Sequence, residues 1–273
     1  MITEISNAEK QEAATAHGSM RFHHEFASKK LGTKRTVIVW LPPGYEAQAH
    51  LRYPVIYMHD GQNLFDPATA FAGVDWRVDE TAEDLLRRDL IRPFIVVGMY
   101  NTPRREDEYT PRRGKKYAKF IIKEVKPFID AHYRTLSGRE HTAVMGSSLG
   151  GLISFYLAWW HPKVFGMAGC LSASWMWHQA VVFEDIMKDG MPKPGVKIYM
   201  DHGSEGTEGR YATVFKRMRD TLIKKGFLLR QDLEYFYGIG DGHDEGSWSR
   251  RVWRPLVFFF GKDRATFPDE NFS

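Results

Sequence analysis

A single cysteine in 273 residues, Cys170, excludes an internal disulfide and a cysteine-ligated metal site. So little cysteine suits a reducing compartment, and Cys170 lies in the apolar run FGMAGCLS, where a thiol packs as a small buried hydrophobe. Apolar runs of membrane-spanning length without charge are missing. The amino-terminal MITEISNAEKQEAATAHGS also lacks the apolar core of a secretory signal. A cytoplasmic protein with no membrane partner is therefore expected. No stretch combines long Lys/Arg runs with interleaved aromatics, and the formal charge is only +4, which argues against a nucleic-acid partner. Stretches such as PRREDEYTPRRGKK mix both signs. Internal repeats and low-complexity segments are absent as well.

The chain does hold ample apolar material. Its 43% hydrophobic residues suit one α/β domain, assigned to residues 21–273 behind a polar segment at 1–20. FHHEFASKKLGTKRTVIVWLPPGYE predicts two strands turned at Gly32-Thr33 and stopped by Pro42-Pro43-Gly44, an antiparallel hairpin. YPVIYMHDG, PFIVVGMYN, HTAVMGSS, FGMAGCLSAS and KIYMDHGSE read as strands buried on both faces, and LRQDLEYFYGIGDGH as a last strand entering a glycine-rich loop. VDETAEDLLRRDL, KYAKFIIKEVKPFIDAHY, LGGLISFYLAWWHP, YATVFKRMRDTLIKKG and SWSRRVWRPLVFFFG read as helices, with Pro127 expected to kink or divide the second. Such alternation implies a mostly parallel central sheet with helices on both faces and antiparallel strands at one edge. Reactive groups then collect in the loops at the carboxyl ends of the strands.

Three of those strand ends carry chemistry. Gly146-Ser147-Ser148-Leu149-Gly150 is a G-x-S-x-G pentapeptide between a predicted strand and a predicted helix, the context of the nucleophile elbow of the α/β-hydrolase fold. Such a turn strains its middle residue, and glycines two positions either side remove Cβ atoms that would clash. That selects Ser148 over Ser147 as the nucleophile. The N–H of Leu149, at the start of the helix, is placed to stabilise an oxyanion. A serine alkoxide is inaccessible at neutral pH, so a base must take the proton. His243, after the last strand in GIGDGHDEGSWSRR, holds the position that the order serine, acid, histidine requires. His23, His24, His141 and His161 lack that placement.

The orienting acid belongs between them, in YMDHGSEGTEG. Asp201 still reads as strand, so Glu205 is the first choice and Glu208 the second. In MHDGQNLFD, Gly61 lets backbone approach a substrate closely and the N–H of Gln62 is the expected second oxyanion donor. His59 and Asp60 resemble metal ligands, but no partners converge on them by spacing. Neither a metal nor a cofactor is called for.

YMHDGQNLFD, VGMYNTPRREDEYTP, MGSSLGGLISFYLAWWHPKVFG, LSASWMW and GDGHDEGSWSRR, in this order, resemble the esterase family that includes enterochelin and other siderophore esterases, esterase D, and feruloyl and acetyl-xylan esterases. The resemblance runs from the opening hairpin to the last helix. It implies an α/β-hydrolase fold, Ser148 as nucleophile, His243 as general base, and Gln62 and Leu149 as oxyanion donors. The acid does not carry over: relatives place it three positions after the glycine of a G-T-x-D/E turn, where Gly203-Ser204-Glu205-Gly206 has glycine. Glu205 or Glu208 takes its place, or the site is a Ser-His dyad.

Trp76, Trp175 and Trp177 are candidates for an aromatic substrate wall, and Arg105 and Glu108 for contacts to a polar substrate. The expected function is a serine esterase acting on a small-molecule ester that is polar or aromatic, carbohydrate-linked or of siderophore type. An acyltransferase on the same fold and a non-catalytic binding protein are the alternatives.

Overall fold

The computed structural model describes residues 17–188 and 195–262. Residues 1–16 of the polar segment and the end of the chain beyond 262 lie outside the described residues. Strands β1 (Ser19–Ser28) and β2 (Thr33–Leu41) form the expected hairpin. Gly32, at φ 66°, makes the turn and donates its N–H to the Ser28 carbonyl at 2.9 Å. The next elements are β3 (Val55–His59), helix α1 (Val78–Arg87), β4 (Ile95–Met99), the short α2 (Arg105–Tyr109) and α3 (Pro111–Phe120).

A π turn at Ile121–Val125 leads into α4 (Lys126–His132). Pro127 acts here as expected: it has no N–H to offer the preceding turn, and the N–H of Lys126 bonds to the Ile121 carbonyl, five residues back. The chain continues with β5 (Thr142–Ser147), α5 (Leu149–Trp160), β6 (Met167–Leu171), α6 (Val182–Lys188), β7 (Lys197–Gly203), α7 (Gly206–Arg210), α8 (Ala212–Lys224) and β8 (Leu233–Gly238). The single carboxy-terminal helix expected from the sequence is two, α9 (Glu245–Arg251) and α10 (Trp253–Phe260). Pro255 explains the division, because it cannot donate to the Arg251 carbonyl.

The eight strands form one sheet in the order β1-β2-β4-β3-β5-β6-β7-β8. β1 and β2 are antiparallel to their neighbours at one edge, and β4 through β8 pair in parallel. This is the α/β-hydrolase class expected from the sequence. Alternate strand residues feed two cores. Val39, Tyr57, Val97 and Val144 pack under α3 to α5, while Trp40, Ile56, Met58, Val96 and Met145 pack under α1, α9 and α10. Helix α5, under the centre of the sheet, is buried from Gly150 through Trp159, which accounts for its apolar character all round. Among the described residues no helix is long and apolar enough to cross a membrane.

Candidate active site

Non-glycine residues with positive φ mark the ends of three adjacent parallel strands: Asp60 after β3 (φ 54°), Ser148 after β5 (φ 56°) and Ser172 after β6 (φ 43°). Such backbone strain concentrates at functional sites. Ser148 stands between β5 and α5 at ψ −123°, with its N–H donating to the Leu171 carbonyl at 3.0 Å. Its own carbonyl accepts the N–H groups of Leu152 at 3.1 Å and Ser174 at 3.0 Å.

Crowding around the elbow differs from the expected pattern in one respect. A Cβ on Gly146 would come 2.9 Å from the Gly150 carbonyl carbon, and one on Gly151 2.8 Å from the Ala173 Cβ. A Cβ on Gly150 would meet nothing closer than 3.4 Å. The second glycine of the pentapeptide is therefore not sterically required, and Gly151 takes that role. Ser147 is buried as the last residue of β5, while Ser148 Oγ lies 3.2 Å from Ser174 Oγ.

Leu149 is the first residue of α5, where a helical N–H has no acceptor within its own helix. The loop after β3 is a 3₁₀ turn at Gly61–Asn63, closed by the Asn63 N–H donating to the Asp60 carbonyl at 2.9 Å. Gly61 is obligatory, since a Cβ there would lie 2.6 Å from the Gly98 carbonyl carbon on β4. Gln62 is anchored by its side chain, whose Oε1 accepts the Asn101 N–H at 3.1 Å.

Arg105 does not point free. Its Nε and Nη2 each donate to the Asp60 carboxylate at 2.8 Å, and Asn101 Nδ2 donates to the same group at 2.7 Å. Arg105 thus anchors the loop after β3. Glu108 is buried and bidentate with Arg35 at 2.9 and 3.0 Å, so it cannot face a substrate. His59 Nδ1 bonds to the Tyr117 hydroxyl at 3.0 Å, and burial pushes its imidazole down to about 3, while the Asp60 carboxylate is engaged by Arg105 and Asn101.

His243 precedes α9, which Asp244 caps by accepting the Ser247 N–H at 2.8 Å. The Gly242 N–H donates to Ser247 Oγ at 2.9 Å, and the His243 ring meets the Trp248 ring edge-on at 5.2 Å. The partner of His243 Nδ1 is Glu208 Oε1, at 2.9 Å. A carboxylate only accepts, so Nδ1 carries the proton and Nε2 is left with a free lone pair.

Glu205, the first choice from the sequence, does not meet the histidine. It is exposed at the head of α7 and its carboxylate accepts from Ser204 Oγ at 2.7 Å, whereas Glu208 is 1% exposed and faces the histidine. One turn of α7 separates the two side chains and sends them to opposite environments.

A buried charge network holds Glu208. The Gly203 N–H donates to its Oε2, and Arg251 Nη2 lies 4.0 Å from the same oxygen. Arg251 also binds Asp201 through Nε at 3.1 Å, Asp241 through Nη1 at 3.1 Å and Ser172 Oγ through Nη2 at 2.7 Å. Ser172 Oγ accepts a second bond from Trp248 Nε1 at 2.9 Å, so its own hydrogen is left to donate to Glu208. Burial alone would raise the Glu208 carboxyl; bonds from His243, Ser172 and Gly203 and the charge of Arg251 outweigh it and hold the group below its ordinary range. Asp201 remains a strand residue, raised by burial against the pull of Arg251.

Trp76 and Trp175 are core residues at 3% and 0% exposure and offer no face to a ligand. Trp177 is half-buried, its N–H donating to the Ser174 carbonyl at 3.0 Å. Sequence reasoning overlooked Ser172, Ser174 and Arg251. The repeated serines of LSAS and the paired arginines of SWSRR carry no signal until the loops meet.

The α/β-hydrolase topology agrees with known proteins. The chain is 26% identical over 260 residues to the uncharacterized protein YbbA of Bacillus subtilis, covering 87% of this chain and 96% of that one. A ferulic acid esterase structure superposes with a TM-score of 0.71 at 20% identity, over 89% of this chain and 98% of that one. The enterobactin esterase from Shigella flexneri superposes with a TM-score of 0.68 at 18% identity, over 89% of this chain and 59% of that one. A family model described as "Putative esterase" matches residues 28–255, and the chain belongs to that family of carboxylic ester hydrolases.

Proposed function

We propose that this chain hydrolyses esters through an acyl-enzyme on Ser148. His243 Nε2 takes the Ser148 proton as Oγ attacks the ester carbonyl, then delivers it to the departing alkoxide; water repeats the cycle on the acyl carbon. Glu208 holds the ring in the required tautomer and stabilises the imidazolium. The amides of Leu149 and Gln62 receive the oxyanion. The observation that carries this reading is the 2.9 Å bond from His243 to a fully buried Glu208, at the same end of the sheet as a strained Ser148. A buried carboxylate with depressed affinity for protons, aimed at the inner nitrogen of a part-exposed histidine, is the arrangement a general base needs.

The substrate proposed is an ester with an aromatic acyl group. Trp177, whose backbone N–H bonds to the Ser174 carbonyl and whose side chain is half-buried, is the residue proposed to offer that group an aromatic face. The names of the two structural neighbours, a ferulic acid esterase and an enterobactin esterase, agree with such a group. The test is hydrolysis of 4-nitrophenyl acetate and of a methyl ester of an aromatic acid by the wild type and Ser148→Ala, with a chelator present. Activity that survives the chelator and vanishes in the variant supports the reading, and equal rates in the two proteins refute it. Trp177→Ala is expected to raise KM for the ester of the aromatic acid more than for the acetate.

A further inference from the structure

We propose that Ser174 is a second catalytic hydroxyl, one that donates a hydrogen bond to Ser148 Oγ when that oxygen is expelled from the acyl-enzyme. The inference rests on the serine reading above. Its carrying observation is the 3.2 Å separation of the two Oγ atoms.

The backbone fixes this contact. On one side of the elbow Ser148 donates to Leu171; on the other its carbonyl accepts from Ser174, and the Ser174 carbonyl in turn accepts from Trp177, each at 3.0 Å. The positive φ of Ser172 swings the chain between these two attachments. Residues 171–177 are therefore stitched around the nucleophile, and the Ser174 side chain is held beside it.

A serine hydroxyl offers one donor and two lone pairs. In the attacking step the Ser148 hydrogen must go to His243, which leaves a lone pair of Ser148 Oγ facing Ser174. In deacylation a water oxygen bonds to the acyl carbon and gives a proton to His243 Nε2. The bond from that carbon to Ser148 Oγ then breaks, and the proton on His243 passes to Oγ. Negative charge grows on Oγ as the bond lengthens, and a hydroxyl donor 3.2 Å away stabilises it more than it stabilises the neutral ester. The Glu208 carboxylate itself reaches His243 through Nδ1, and no described contact of Glu208 is with Ser148 Oγ.

Ser174→Ala deletes the hydroxyl and keeps the backbone bond to Ser148. With 4-nitrophenyl acetate, whose leaving group departs readily, the full chain carrying this change is expected to lose about 10- to 100-fold in kcat. KM should fall with it, kcat/KM should change little, and a burst of nitrophenol should reveal accumulated acyl-enzyme. Ser174→Thr should restore turnover. A wild-type kcat in Ser174→Ala would overturn the proposal, as would a loss in kcat/KM without accumulation, the sign of a merely structural role. Turnover that survives Ser148→Ala would overturn the serine reading and this proposal with it, and is told apart because it needs no Ser174 variant.

Discussion

The two halves of the site are built from different materials. Around Ser148 the structure relies on backbone: peptide hydrogen bonds to Leu171, Leu152 and Ser174, and glycines that leave no room for a Cβ. Around His243 it relies on charged side chains, with Arg251 neutralising Asp201 and Asp241 and leaning on Glu208 in near-complete burial. Backbone contacts tolerate changes of side chain and of pH. A buried ionic network does neither, because removing one partner strands the others in a medium that penalises unpaired charge. The half that needs only a fixed geometry is made of peptide groups. The half that, on the mechanism proposed, must stabilise a transient imidazolium is made of charge.

The contrast can be broken most severely at Glu208. Glu208→Gln preserves shape but removes the charge and permits the wrong histidine tautomer, with an expected cost of about ten-thousandfold in kcat, whereas Glu205→Gln should be silent. Steady-state kinetics on the two variants decides between them. Arg251→Met comes next, leaving the buried Asp201 and Glu208 without their arginine while Asp241 keeps Arg250, and destabilising the fold by about 3–5 kcal/mol. Urea unfolding measures that loss, and a wild-type midpoint would mean the network is neutralised from elsewhere.

The backbone half is probed by glycine. Gly146→Ala should cost about 1–3 kcal/mol through overpacking, while Gly150→Ala, in a helix and free of close contacts, should be neutral or gain up to about 1 kcal/mol. Matched thermal melts test the difference, and equal losses would restore the second glycine of the pentapeptide to a steric role. The smallest expected effect is in pH. The folded Glu208 carboxyl sits below its unfolded value, so the stability it confers is complete above the unfolded value and disappears as pH falls through the folded one. Asp201 is raised by burial, so its contribution runs the other way, present at low pH and lost as pH rises through the folded value. Glu208→Gln should flatten the acid side of a plot of melting temperature against pH, and Asp201→Asn should relieve the opposing slope.

Strand and helix periodicity, the hairpin turn at Gly32 and the elbow at Ser148 were legible because each depends on residues close together in the chain. His243 was legible through its order along the chain. The choice of Glu208 over Glu205 was not: two acids three positions apart in one short helix look alike until the partner loops close on one face. Two of the three candidate tryptophans misled for a related reason, since Trp76 and Trp175 lie near strand ends in sequence yet belong to the two cores. The sequence by itself determined the α/β class, the strained serine turn and the chemistry a histidine must supply to it. Only the tertiary structure decided which acid bonds to that histidine, which arginine lies against the acid, and that Ser174 stands beside Ser148. Those three depend on contacts between loops from different strands, and their energies come from burial and charge that no single segment contains.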